Sequence, residues 1–238
     1  MFEPTTRDGV VRLGAPGTEW LSTGWRGGRR RADAAYSVTV PEDWRCDDVA
    51  RFVTGRLESA GFDAAEFHDG APVLLTGVAT RHARGARLGP VVAVATAGVS
   101  NPAELPMDPP GGELPDGELV PGTVNVVVGT TRSLADGALA NLVAVAAEAK
   151  AATLLDAVGV PGTTSDAVVV ASDPDGEPTT FSGSATRVGA AARACVRESV
   201  SAALAARYGE DEPPTGVEDA RYGVSTDARA DVFELGGE

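Results

Sequence analysis

Three nearly continuous apolar runs, Pro72 to Ala79, Pro90 to Ala97 and Val124 to Val128, limit what this chain can become. A strand with one wet face alternates apolar and polar residues. These runs do not alternate, so each suits a strand covered on both faces. Helical periodicity lies around them. From Asp47 to Ala60 the apolar residues Val49, Phe52, Val53 and Leu57 recur every three or four positions, and Gly61 ends the run. Ser133-Leu134-Ala135-Asp136 reads as a capping box opening a helix that ends near Val158, ahead of Gly159 and Pro161. A last helix is expected from Thr186 to Tyr208, closed by Gly209. Shorter β-rich stretches fall at Val10 to Leu13, Glu19 to Ser22, Tyr36 to Val40 and Ala167 to Ala171, with an edge strand at Val232 to Leu235. The expectation is one α/β domain over residues 1–238, a mixed sheet of five or more strands packed by two long helices and one shorter helix. Strand order stays open.

Between the second and third apolar runs, residues 102–121 carry six prolines and no periodicity. A loop this long inside a compact domain reads as a lid or binding loop, with a disordered insertion as the alternative. A second, acidic loop is expected at 209–220. The balance of 34 acidic against 20 basic residues gives a net charge of −14, which argues against a general nucleic-acid binder and for a salt-adapted cytoplasm. Arginines cluster at Arg26, Arg29, Arg30 and Arg31 and at Arg81 and Arg84, but no set of stacking aromatics accompanies them, and acidic neighbours are their expected partners. No apolar run approaches the ~20 residues that span a bilayer, and the start Met1-Phe2-Glu3-Pro4 is not a basic leader, so a cytoplasmic protein without a membrane anchor is expected. Cys46, Cys195, His68 and His82 share no ligand spacing, and no metal site is expected.

One lysine stands among the 20 cationic residues, Lys150, inside an otherwise apolar helical run. An ammonium is compact and can lose its proton in a dry site, whereas a guanidinium stays charged and needs room for its planar fork. Lys150 is therefore a candidate for chemistry. Ala, Leu and Val surround the helix on its whole circumference, which implies burial and makes Glu148 and Lys150 expensive there. The two point about 200° apart and do not pair with each other. Asn141 is nearly on the face of Glu148. Asp166, at the helix-to-strand junction after Gly162-Thr163-Thr164-Ser165, is the expected partner of Lys150.

Five pieces recur in register: Thr96-Ala97-Gly98-Val99-Ser100-Asn101, Gly122-Thr123-Val124-Asn125, Glu148-Ala149-Lys150, Gly162-Thr163-Thr164-Ser165-Asp166-Ala167, and Ser182-Gly183 followed by Thr186-Arg187-Val188-Gly189. Together they resemble the adenosylcobinamide amidohydrolase family of archaeal corrinoid salvage, over about Leu21 to Leu204. Leu21-Ser22 through Gly27-Gly28 is similar to the family's start. The chain departs from the pattern at Ala147, usually Thr, at Thr164 and Ser165, usually Gly and Thr, and at Arg26, usually Asn.

The resemblance implies hydrolysis of the amide joining the corrinoid ring to aminopropanol, releasing adenosylcobyric acid. The partner is then a small corrinoid, and cobalt belongs to the substrate rather than to a cofactor of the protein. Lys150, Glu148 and Asp166 are the candidate catalytic residues, and Gly98, Asn101, Gly122, Thr123, Asn125, Thr163 and Ser165 the candidate substrate-binding ones. Amide hydrolysis needs a nucleophile, a stabilised oxyanion and a proton for the amine. In one scheme Asp166 or Glu148 activates water, Asn125 and glycine amides hold the oxyanion, and Lys150 stabilises charge or protonates the amine. In the other, the hydroxyl of Thr123 or Ser165 attacks with Lys150 as base. A non-catalytic corrinoid or nucleotide carrier would need the same glycine loops but no buried charges. Oligomeric state is not legible.

Overall fold

The computed structural model describes residues 2–41, 44–114 and 123–235. Along the chain run β1 (Glu3–Arg7), β2 (Val10–Ser22), β3 (Gly28–Thr39), α1 (Val49–Ser59), α2 (Ala64–His68), β4 (Val73–Thr76), β5 (Arg84–Leu88), β6 (Val91–Thr96), β7 (Ala103–Glu104), β8 (Asn125–Leu134), α3 (Asp136–Val158), β9 (Ala167–Thr179), α4 (Arg187–Tyr208) and β10 (Val224–Ser225). Among the described residues the main sheet has eight strands, ordered β4-β3-β2-β9-β8-β6-β5 with β1 beside β2. β8 with β9 and β3 with β4 are parallel pairs, and the other pairs of this sheet are antiparallel, so the expected mixed α/β sheet is present.

The unbroken apolar runs follow from burial on both faces. Val91, Ala93 and Ala95 of β6, Val126 and Val128 of β8, and Val168 and Val170 of β9 point into a core shared with α3 and α4. Their alternates, Val92, Val94, Val127, Val169 and Ala171, face a second core with Phe2 and with Val11, Leu13 and Trp20 of β2. Phe2 fits there only because Gly129 has no side chain: a Cβ at Gly129 would stand 2.8 Å from its ring. A third core joins α1 and α2 to β3 and β4 through Val53, Leu57, Val38 and Val73.

Several expectations need correction. Ser133 does not cap α3. It lies in β8, which stays extended to Leu134 because that segment pairs with Glu177 to Thr179 of β9, and Ala135 caps the helix without a side-chain bond. α3 is not buried all round, since Asp136, Ala140, Ala144, Glu148 and Ala152 form an exposed stripe. At 23 residues, with an 18-residue window that is apolar on average, α3 is long and apolar enough by length and composition to cross a membrane, although Asn141, Glu148 and Lys150 interrupt its apolar run. Here it packs on β8, β9 and α4 with half of that window buried. Val232 to Leu235 form no strand. The C-terminal pairing occurs earlier, where β10 lies parallel to β7, and Val232, Phe233 and Leu235 are exposed.

Candidate active site

β8 and β9 begin side by side, Asn125 opposite Ala167, so the residues preceding them, Val124 and Asp166, meet at one end of the sheet. Asp166 arrives there from the turn after α3, and Lys150 reaches it from the buried face of α3. The two form an ion pair with both side chains about nine-tenths buried. Among the described residues the carboxylate takes four donors. Oδ1 accepts from the Val124 amide at 2.8 Å and from Thr163 Oγ1 at 2.5 Å. Oδ2 accepts from the Thr163 amide at 3.0 Å and from Lys150 Nζ. Gly162 makes this closeness feasible, because a Cβ there would lie 2.7 Å from Asp166 Oδ2 and 3.3 Å from Lys150 Nζ.

Around this centre the other candidates brace the backbone. Asn125 is buried with both ends of its amide engaged: Nδ2 donates to Leu75 O at 2.8 Å, and Oδ1 accepts from the Ala167 amide at 3.1 Å. It ties β4 to β8 and β9. Thr123 Oγ1 lies 2.8 Å from Ser165 O and 3.0 Å from Asn125 Oδ1, so its single proton goes to one of those acceptors. Asn101 donates from Nδ2 to Thr164 Oγ1 at 2.5 Å and accepts from the Thr164 amide at 3.1 Å, while the Ala103 amide donates to Gly162 O at 2.9 Å. The loop leaving β6 is thereby stitched to the turn carrying Asp166. Gly98 lies in that loop, where a Cβ would meet Val78 at 2.7 Å. Gly122 lies outside the described residues. Glu148 is not brought to the centre: it sits on the outer stripe of α3, its side chain 63% exposed, paired with Arg193 at 3.3 Å.

Sequence reasoning missed two features. One is the contact of the hydroxyl of Thr163, a residue singled out only for substrate binding, with the Asp166 carboxylate. The other is Thr23, which exchanges hydrogen bonds with Val168, two residues beyond Asp166, and moors the β2–β3 connection, residues 23–27, to the same end of the sheet. The arginine clusters also differ from expectation. Arg29 pairs with Glu19 and Asp136, but Arg30, Arg31 and Arg84 donate to backbone carbonyls.

A family model described as adenosylcobinamide amidohydrolase matches residues 2–212. The chain belongs to the adenosylcobinamide amidohydrolase family. An adenosylcobinamide amidohydrolase from Halobacterium salinarum is 63% identical over 234 residues, covering 98% of this chain and 99% of that one. Another from Methanosarcina mazei is 29% identical over 154 residues, 64% of this chain and 68% of its own. Among solved structures a beta-aminopeptidase from Burkholderia sp. superposes with a TM-score of 0.42 at 15% identity, covering 84% of this chain and 79% of that one, a likeness too distant to carry an argument. Lys150, Thr163 and Asp166 all lie inside the amidohydrolase-family match. The segment holding β10 lies beyond it, yet falls within a chain that the Halobacterium relative matches almost end to end.

Proposed function

We infer that the chain is an adenosylcobinamide amidohydrolase and that it cleaves the amide between the corrinoid ring and aminopropanol to give adenosylcobyric acid. The match to the family over nearly the whole chain carries the activity. For the position of the chemistry, the supporting observation is the convergence of Lys150 and Thr163 on one buried carboxylate. A small corrinoid is the substrate, and its cobalt travels with it. The acidic surface suits a salt-rich cytoplasm.

The geometry favours a hydroxyl nucleophile. A general base must aim a lone pair at the proton it removes. Among the described residues Asp166 takes its donors from two backbone amides, Lys150 and the Thr163 hydroxyl, and with Lys150 assigned to the oxyanion the hydroxyl is the donor left to become a nucleophile by losing its proton to the carboxylate. In this reading Thr163 Oγ1 attacks the amide carbon as its proton passes to Asp166. Lys150 carries three N–H bonds, gives one to Asp166 and aims the rest at the developing oxyanion. Collapse breaks the C–N bond, and Asp166 hands the proton to the departing aminopropanol. Water then attacks the Thr163 ester, releasing the carboxylate and restoring the hydroxyl. Asn125, Thr123 and Asn101 hold the two strands and the turn in register, and Ser165 supplies a carbonyl rather than the nucleophile.

The test follows purified protein and adenosylcobinamide in potassium-rich buffer by liquid chromatography and mass spectrometry. Aminopropanol release is expected. Thr163→Val and Asp166→Asn should each lower kcat by roughly 100-fold or more. Acid quenching should trap a corrinoid ester on the peptide containing Thr163. A folded Thr163→Val variant with undiminished turnover would transfer the attack to water.

A further inference from the structure

We propose that the cavity between the β2–β3 connection, with the strand ends that flank it, and the end of α2 seats the adenine of the substrate's adenosyl group; this rests on the adenosylcobinamide reading above. The cavity encloses about 250 Å³, and Ser22, Trp25, Arg26, Phe67, His68 and Val73 line it. Although carboxylates outnumber cations 34 to 20 in the chain, the described lining includes Arg26, Arg30 and His68 and no carboxylate. Trp25 and Phe67 stack with centroids 6.3 Å apart at 23°, and the Arg26 guanidinium lies 4.6 Å from the Trp25 ring centroid.

The wall is built in advance. Arg26 has φ of 50°, a left-handed conformation that is costly for a residue with a side chain and tends to persist where surrounding structure enforces it. Enforcement is visible: Arg30 donates to the carbonyls of Arg26 and Gly27, and a Cβ at Gly27 would lie 2.4 Å from Ser22 O, so the loop is wound tightly on itself. The Arg30 guanidinium is thus spent on the loop, whereas Arg26 is exposed beside the aromatic pair.

Size and chemistry select the ligand. The cavity is smaller than the roughly 300–1,000 Å³ typical for drug-sized ligands, so a purine enters and a corrin macrocycle does not. Aromatic faces and guanidinium planes stack on bases, and a lining rich in donors meets the ring-nitrogen acceptors of adenine. Position agrees. Thr23, two residues before Trp25, bonds to Val168, which stands two residues, roughly 7 Å of strand, beyond Asp166. An adenosyl group seated at Trp25 would then orient the corrinoid with its amide side chain toward Thr163.

The same base could come from a free nucleotide, so the test has separate arms. Calorimetry with 5′-deoxyadenosine and with ATP is run on the full chain and on Trp25→Leu, Trp25→Phe and Arg26→Gly, the last relieving rather than straining the backbone. Steady-state kinetics on adenosylcobinamide and on cobinamide lacking the adenosyl group accompany it, with circular dichroism confirming each fold. The expected result is 5′-deoxyadenosine binding that weakens about tenfold or more in Trp25→Leu and returns in Trp25→Phe. KM for adenosylcobinamide should rise by a similar factor, and turnover of the unadenosylated compound should not move. Binding and KM unchanged in folded Trp25→Leu and Arg26→Gly overturn the assignment, as does binding of ATP without 5′-deoxyadenosine. Wild-type protein that binds 5′-deoxyadenosine through Trp25 but hydrolyses no corrinoid sinks the amidohydrolase reading and leaves the adenine site standing.

Discussion

A buried ammonium and carboxylate are tolerable only when each finds partners, because removing one member of such a pair costs about 3–5 kcal/mol. Asp166 is satisfied by four donors, and the space that lets them close is the missing side chain of Gly162. Gly162→Ala is therefore expected to fold with a lowered Tm and to lose about 100-fold or more in kcat/KM, since its Cβ must push Asp166 away from Lys150. Melting curves and initial rates would check this; wild-type rates would mean that the pair tolerates displacement. Lys150→Arg should fold and lose activity, because a planar fork does not fit beside the turn. Glu148→Gln is expected to leave kcat/KM within about twofold of wild type, as an exposed pair with Arg193 contributes little. A large loss there would return Glu148 to the mechanism. The sequence separated these two charges correctly by helical angle and matched Lys150 with Asp166. It misjudged the surroundings of Glu148, because alanine is as common on an exposed helix stripe as in a core.

At the scale of elements, α2 is fastened to β2 and β3 by one cluster. Arg12 donates to both oxygens of Glu66 at 2.8 and 2.6 Å, and the Tyr36 hydroxyl donates to the same carboxylate. The Arg12 hydrogen bonds, helped by Tyr36 and opposed by burial, hold the Glu66 carboxyl below its ordinary range. A lowered folded-state value means stability that is fully present above the unfolded carboxylate range and is lost as pH falls through the folded value. Wild type should thus melt above Glu66→Gln near neutral pH, with the gap narrowing as pH falls below the ordinary carboxylate value of about 4.3. A gap that widens on acidification would reverse the assigned sign.

The C-terminal segment makes a second element-scale case. Val224 and Thr226 donate to Pro102 O and Glu104 O at 3.0 Å, Val217 donates to Glu104 Oε1 at 2.6 Å, and a Cβ at Gly223 would sit 2.9 Å from Pro102 O. The strap fixes the loop that is itself stitched to Thr164. Gly223→Val should unseat it, expose it to limited proteolysis and raise KM several-fold at constant Tm of the core; unaltered cleavage would show the strap is not held there. None of this was readable beforehand. Elements with strong local signals were: α1 through its three-to-four spacing, α4 through its run from Thr186 to the Gly209 stop, β6 and β8 through unbroken apolar runs. What failed depended on distant partners. Ser133 had every local mark of a cap, but pairing with β9 kept it extended, and the C-terminal strand formed where Pro102 and Glu104 offered carbonyls rather than where the sequence was apolar.

Over the whole molecule, the net charge of −14 and a pI near 4.5 set a condition on stability that no single contact reveals. Like charges spread over the surface repel in the folded state, and the repulsion reaches as far as the Debye length, about 10 Å at 0.1 M salt and 3 Å at 1 M. The 63% identical relative comes from a halophilic archaeon, where that length is short. Lysine is nearly absent, and several arginines donate to backbone carbonyls instead of pairing directly with carboxylates. Tm should therefore climb as KCl rises from 0.1 to about 1 M and then flatten, because screening saturates once the Debye length falls below the spacing of surface charges. The Lys150 and Asp166 pair is buried and feels little of that screening, so kcat at a temperature well below every Tm should change far less than stability does. Melts and initial rates across the same KCl series separate the two effects. A Tm that stays level from 0.1 to 1 M KCl would show that the surface carboxylates are already accommodated without salt, and a kcat that tracks Tm would place the salt requirement in the active centre instead of on the surface.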